Sequence, residues 1–452
     1  MAALAALLAG CATTALPPPP TVTPPAAWQR GGTSPAAATP AHWWSMLGDP
    51  TLDGLVVRAL QQAPDARTAA ARVREARARL EVTRAGQGPT VTGSGSASRS
   101  RNPQAVTSGF DLGLDASWEA DLFGRLQAGR EAAAFDLAAV QSNLAAVKLS
   151  LQAEVAIDYL AWRSARERGA LARGNLARQE ETEQIARWRQ QAGLASTLDV
   201  EQARSSTAQT RAQLAGLDDT QAQAQLALEV LLGAEPGTLD ATLAQATAPL
   251  QTPAPAGLAL PADVLRQRPD VRQAAQQWQA EAARTGQARA ATRPRLTLSG
   301  SIGLQAARLA SLPDGLVGTL AAGLLAPLFD GGSLRAQVEA QTAVQDRAAI
   351  AYRQTVTAAL ADVESALSTV AAQRRQIAAL AEAADAARQA AGLARQRYDA
   401  GVVDFRTVLD AERSALTLDD SLASTRHEAL KAWVRLFKAL GGAEDTDDPG
   451  TA

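Results

Sequence analysis

Cysteine is almost absent from this chain. Cys11 is the only thiol in 452 residues, which excludes an intramolecular disulfide and any CxxC metal or redox pair. Histidine is nearly as scarce, with His42 and His427 far apart in the sequence. No zinc-protease, phosphate-loop or dinucleotide-binding fingerprint occurs. Asp330-Gly331-Gly332 lacks the lysine of a phosphate loop and reads as a turn. Neither sign of charge is in excess: the net charge is −2, so no bulk field favours nucleic acid. Nor is there a run of about eighteen apolar residues, the length a membrane-spanning helix needs. Acidic residues are spread along segments of helical pattern, where a solvated face accounts for them. Catalysis has little to stand on; the chain is expected to be neither an enzyme nor dependent on a metal or cofactor.

What is present begins with that cysteine. It lies in "LLAGCATT", residues 7–14, behind the apolar run 2–10, too short to span a bilayer but fit for the apolar part of an export signal. Leu8-Ala9-Gly10-Cys11 reads as a lipobox, with residues 1–10 removed as signal peptide and Cys11 acylated. Ala12, in place of aspartate, matches lipoproteins of the outer rather than the inner membrane. Residues 16–40 are rich in Pro, Ala, Thr and Gly, a composition that cannot fold alone and favours extended polyproline geometry. Residues 11–45 are therefore expected to form a lipid-anchored leash, and 444–452 an acidic tail.

The body between them is written twice. "QQAPDARTAAARVREARA" from Gln61 aligns with "RQRPDVRQAAQQWQAEAA" from Arg266, and "GPTVTGSG" at 88–95 with "RPRLTLSG" at 293–300, at one offset. "DLFGRL" at 121–126 matches "PLFDGGSL" at 327–334 once two residues are inserted. "QAGLASTLDVEQAR" from Gln191 and "DAGVVDFRTVLDAER" from Asp399 then share a second constant offset with Gly233 and Gly441. The expected repeats are 46–250 and 251–443.

Each copy has the same internal order. A first helix spans roughly 52–85 or 262–291. Two segments of strand character follow, at about 89–99 and 110–123, then at about 294–305 and 316–329. In the second of these, Phe110, Leu112, Leu114, Ala116 and Trp118 share one face, while Asp111, Asp115 and Glu119 lie nearer the other. Their lengths suit tilted transmembrane strands of ~9–11 residues. A long helix, 126–191 or 334–399, comes next. Ala133, Leu137, Val140, Leu144, Val147 and Leu151 step alternately by four and three, as do Val356, Leu360, Val363, Leu367 and Val370. That is the period of side-by-side coiled-coil packing. A turn at Gly193 or Gly401 reverses the chain, and a helix returns to Gly233 or Gly441. At 1.5 Å per residue the long helix measures ~100 Å, and the returning helix (~37 residues) plus the first (~30) covers the same length. Each copy should thus make paired antiparallel helical columns with a β-hairpin at one end. Two hairpins per chain cannot close a barrel, and open edges are not tolerated in lipid. The chain is expected to oligomerise; three copies would supply a twelve-stranded barrel wide enough for a lumen.

With these residues in view, the sequence resembles the TolC/OprM-type outer-membrane efflux channels, especially the lipid-anchored branch from drug-efflux systems. The resemblance runs from Cys11 to about Gly442. It rests on the lipobox, "SWEADLFGR" at 117–125, "LRQRPDVRQA" at 265–274, "APLFDGG" at 326–332 and "YDAGVVDFRTVLDAER" at 398–413. It implies a mainly α protein with a transmembrane β-barrel, a homotrimer in the outer membrane with an α-helical tunnel across the periplasm, and no enzymatic activity. The implied partners are outer-membrane lipid, a periplasmic adaptor and an inner-membrane pump of the proton-driven RND type. Channels for secreted peptides or for metal efflux share the architecture and stay open as alternatives. A periplasmic adaptor lipoprotein fits less well, because here strands and helical hairpins both occur twice.

The resemblance also assigns residues. Asp199, Tyr398 and Asp410 stand where family members close the periplasmic end of the tunnel. Val403 and Thr407 replace an arginine and an aspartate of that network, and Arg406 is one helical turn from Val403. The turns Ala192, Gly193, Leu194 and Ala195, and Ala400, Gly401, Val402 and Val403, are where an adaptor would dock.

Overall fold

The computed structural model describes residues 20–30, 42–103, 105–253 and 259–442. Cys11 and its lipobox, and the acidic tail 444–452, lie outside the described residues. In chain order the elements are α1 (Pro50–Gln62), α2 (Pro64–Ala85), β1 (Thr90–Arg101), β2 (Val106–Ala120), α3 (Arg125–Gln191), α4 (Thr197–Leu231), α5 (Asp240–Ala244), α6 (Pro261–Gln267), α7 (Pro269–Ala290), β3 (Arg295–Ala306), β4 (Leu316–Leu325), α8 (Ser333–Asp399) and α9 (Phe405–Ala439). The duplication is exact in length where it matters. Both long helices have 67 residues, both returning helices 35, and both hairpin-entry helices 22.

The expected first helix is two helices in each copy. Proline disfavours the helical region for the residue before it. Ala63 accordingly sits at ψ 132 and Arg268 at ψ 122, and the chain restarts with Pro64 or Pro269 as the first helical residue, where its missing N–H costs nothing. The glycine ending each returning helix lies against that break. A Cβ on Gly233 would come 3.0 Å from Pro64, and one on Gly441 2.9 Å from Arg268.

The chain divides into two compact units. One gathers Ala69–Leu144 and Asp270–Val356 and contains the sheet. Its strands form an antiparallel meander in the order β1-β2-β3-β4. The register pairs Gly93 with Leu114 and Leu114 with Ile302, and Ile302 with Gly318. Alternation then sorts most side chains by face. One face carries Val91, Ala97, Leu112, Leu114, Leu298, Ile302 and Leu320; the opposite face carries Thr92, Ser96, Asp111, Asp115, Ser301 and Thr319. Polar contacts cross the second face, with Ser96 Oγ donating to Asp111 Oδ2 at 3.0 Å and Gln305 Nε2 to Asp111 Oδ1 at 2.8 Å. The apolar face is exposed, Leu320 and Leu324 heavily so. β1 and β4 are the edges of the sheet.

The helices of this unit approach through small residues. Ala132, Ala139 and Ser142 are the buried positions of α3 there, while Leu137 and Leu144 of the expected stripe remain half-buried. Alanine lets the backbones come close, and the larger side chains are pushed to the flank. Ser142 Oγ donates to Gln276 Oε1 on α7 at 2.7 Å. In the second copy Val356, Val363, Leu367 and Val370 are buried as expected, and Leu360 is half-buried.

The other unit gathers Pro24–Thr68, Ala145–Pro269 and the chain from Thr357 onward. Its core joins Trp43, Leu52, Leu55, Tyr159, Leu228, Trp433 and Phe437, with Trp43 stacked on Phe437 at 5.5 Å. Buried Asp49 caps α1 through Thr51 N–H and receives hydrogen bonds from the Tyr159 hydroxyl and from Arg163 Nη1. Burial and this carboxylate push the Tyr159 phenol above its ordinary range. The leash is not only a spacer. Trp28 is 7% exposed, and its Nε1 donates to Ala259 O at 2.8 Å, so this aromatic seats a segment that its composition alone would leave unfolded.

His427 on α9, 4% exposed, meets Glu167 of α3 through Nε2 at 2.7 Å. That hydrogen bond, outweighing the desolvation that opposes it, holds the Glu167 carboxyl below its ordinary value. A depressed carboxyl stabilises the fold above its unfolded value and loses that contribution as pH falls through the folded one. Glu167→Gln should therefore lower the melting temperature at neutral pH, and the gap to wild type should close on acidification. A gap that stays constant down to strongly acid pH would contradict this.

Candidate functional site

Two turns of this second unit are built alike. α3 ends at Gln191, and Gly193, at φ 74, takes the left-handed conformation that only glycine adopts readily. Gly193 N–H donates to Gln190 O at 2.9 Å and Leu194 N–H to Arg189 O at 2.7 Å. That is a Schellman ending. α8 repeats it: Gly401 is at φ 71, its N–H donates to Tyr398 O at 2.9 Å, and Val402 N–H donates to Arg397 O at 2.9 Å. The next helices start with complementary caps. In the first copy Ser196 is the cap and Asp199 its partner. Ser196 Oγ accepts from Asp199 N–H at 3.2 Å, and Asp199 Oδ2 accepts from Ser196 N–H at 2.9 Å. In the second copy the roles are exchanged: Asp404 caps, accepting from Thr407 N–H at 2.9 Å and Thr407 Oγ1–H at 2.6 Å. These bonds hold the Asp404 carboxyl below its usual range.

Each residue singled out from the sequence now has a place. Asp199 has its carboxylate on its own helix cap, so within one chain it is a capping residue rather than a contact between helices. Tyr398 is half-buried and packs with Ala186, Val200, Ala203 and Phe405. Its ring lies 5.4 Å from that of Phe405, and the Arg189 guanidinium sits 4.5 Å from its centroid. Tyr398 thereby links the ends of α3, α8 and α9. Arg406 approaches Asp410 at 3.7 Å and Arg413 does so at 3.2 Å; all three are exposed and share one helix. The turn residues Ala192, Gly193, Leu194, Ala195, Ala400, Gly401 and Val402 are exposed or partly so, with Leu194 and Val402 each 71% exposed. Val403 is half-buried.

Sequence reasoning missed Arg189, Phe405 and the two caps. The caps were readable, since Ser-x-x-Asp before a helical run is a capping signature and aspartate is itself a favoured helix cap. Arg189 gave no signal, because its partner lies on another helix. Farther along the same helices, Arg395 Nη2 donates to Thr182 Oγ1 at 3.0 Å and lies 3.7 Å from Glu412, whose carboxyl is raised by burial. Among the described residues no cluster of side chains could hold a metal ion. The site offers apolar turns, caps and interhelix contacts, and no reacting group.

Comparison with known proteins agrees with this. The family model "Outer membrane efflux protein" matches residues 55–234 and again 260–442, one match per repeat. The pyoverdine export outer membrane protein OpmQ of Pseudomonas putida is 35% identical over 92% of this chain and 91% of its own length. The toluene efflux pump outer membrane protein TtgF, also of Pseudomonas putida, is 33% identical over 89% and 86%. The solved structure of the outer-membrane channel OprN superposes with a TM-score of 0.86 at 31% identity, covering 95% of this chain and 99% of that one.

Proposed function

From the premise that this chain belongs to the outer membrane efflux protein family, we propose that three copies assemble into one duct whose four-stranded sheets join edge to edge as a closed twelve-stranded barrel. The protein is an outer-membrane efflux component, reaches into the periplasm and is not an enzyme. One observation supports the trimeric barrel above all: a sheet with an apolar band on one face and mainly polar side chains on the other, with an open edge at each end. Such edges are stable in lipid only when paired. The ~100 Å helices form the periplasmic tunnel. The Gly193 and Gly401 turns meet a periplasmic adaptor, which joins the duct to an inner-membrane pump of the RND type. Asp410 and Arg406, with Tyr398, line the closed end. Cys11 carries the lipid anchor. Relatives are named for pyoverdine export and for toluene efflux; the cargo here falls in the same class of small organic molecules, chosen by the pump rather than by the wide duct.

Purified protein in mild detergent should run as a heat-dissociable trimer and, in a planar bilayer, give discrete low-conductance openings. A monomer without conductance would reject the duct.

A further inference from the structure

The alternation that places Val91, Gly93, Gly95 and Ala97 on the apolar face of β1 continues to Arg99 and Arg101. They pair with Ser108 and Val106, just beyond Phe110 opposite Ala97. Trp118 stands at the other end of that face, its Nε1 donating to Gln87 O at 2.9 Å. Phe110 and Trp118 are separated by about 27 Å of strand, or roughly 20 Å along the membrane normal after a tilt of ~40°. They flank the apolar band as aromatic residues do at the two boundaries of a bilayer. The arginines therefore sit at headgroup depth. They are at the end away from the helices, because α2 enters β1 at Thr90 and β2 leaves toward α3 at Ala120. On the reading above, that end lies in the outer leaflet.

The apolar face below them is not flat. An open groove of about 650 Å³ crosses β1 to β4, lined by Leu112, Leu114, Ile302, Leu304, Leu316 and the side-chain-free positions Gly93 and Gly95. From Gly95 to Arg99 is ~14 Å of strand, within the ~15 Å half-thickness of the hydrocarbon core. We propose that this face holds a phosphorylated glycolipid of the outer leaflet, one acyl chain in the groove and a phosphate between Arg99 and Arg101. Charge complementarity selects this occupant: paired guanidinium forks match phosphate oxygens, and an arginine on a lipid-facing strand is costly unless its charge is met at the headgroups.

The inference rests on the barrel reading, and the test keeps the two apart. Trimers of wild type, Arg99→Gln/Arg101→Gln, Arg99→Lys/Arg101→Lys and Gly95→Leu are purified from outer membranes, and the co-purifying phosphorylated glycolipid is measured per trimer. Each is then reconstituted in phosphatidylethanolamine vesicles with that glycolipid or with phosphatidylglycerol. Most of the glycolipid should be lost from the glutamine and Gly95→Leu variants and largely kept in the lysine variant. Adding it should raise the trimer melting temperature of wild type and of the lysine variant, and not that of the glutamine or Gly95→Leu variants. Conducting trimers with unchanged glycolipid content, or equal stabilisation by phosphatidylglycerol, would overturn the proposal and leave the barrel standing. Failure of wild type itself to form conducting trimers would reject the barrel.

Discussion

Arginine in place of Leu114, or of Leu298, is expected to remove most detergent-resistant trimer from the outer membrane. Both side chains lie on the apolar face of the sheet, Leu114 across from Gly93 and Ile302, and Leu298 across from Trp118 and Ala322. A cationic side chain at the bilayer midplane of a barrel strand costs ~2–4 kcal/mol. A closed trimer meets that cost in every copy, so about 6–12 kcal/mol opposes insertion if the three add, comparable with the whole stability of a typical domain. Leu114, near mid-band, should be hit harder than Leu298, which lies beside Trp118, where an arginine can reach the interface. Ser299→Arg is the control: it sits one residue along, on the polar face, opposite Ser117 and Ala321, and should insert nearly as wild type. The measurement is trimer yield from outer membranes on unheated gels. Equal yields from Leu114→Arg, Leu298→Arg and Ser299→Arg would show that neither face meets lipid.

The fold was legible because the duplication made length itself a signal. Two copies with equal spacing from strand segment to glycine turn require equal helices, and Ala-rich similarity by chance would not hold a constant offset. Strand faces followed from alternation in "FDLGLDASW". Other features depended on what only the packed chain reveals. Pro64 and Pro269 were visible, yet a helix can end or merely kink at proline, and the glycine packed behind each break decides for ending. The stripe at Leu137 and Leu144 carried the right period but not the right phase, since period alone does not say which small residue permits the closest approach. At the turns, the resemblance gives Asp199 a role at the closed end of the tunnel, and within one chain its Oδ2 also caps α4 with Ser196, three residues away, a local contact that Ser-x-x-Asp already signals. Arg189 meets Tyr398 over a separation no local pattern spans.

That last contact leads to a sharper expectation for the closed end. If the duct is held shut where α3, α8 and α9 meet, the Tyr398 ring matters and its hydroxyl does not, because the ring carries both the Arg189 contact and the packing on Phe405. A cation–π contact at an exposed site contributes ~0.5–1 kcal/mol and an aromatic pair ~0.5–1.5. Lost in three copies, this amounts to about 3–7 kcal/mol against closure if the contributions add. Tyr398→Ala, and more so Tyr398→Ala with Arg189→Ala, should raise basal conductance in planar bilayers strongly. The same variants should sensitise cells to large antibiotics that the outer membrane normally excludes. Tyr398→Phe keeps the ring and should stay close to wild type. Asp199→Ala loses a helix cap, worth ~0.5–2 kcal/mol locally, and should fray the start of α4 with a smaller rise in conductance. Gly401→Trp separates docking from gating: the left-handed backbone at φ 71 is strained by any side chain, and the bulk blocks close approach of an adaptor helix. Efflux should then fail while conductance stays low and trimers still form. Wild-type conductance and antibiotic exclusion in the Tyr398→Ala/Arg189→Ala double variant would place the closure elsewhere on the helices, with the Arg395, Thr182 and Glu412 contacts as the next position to open.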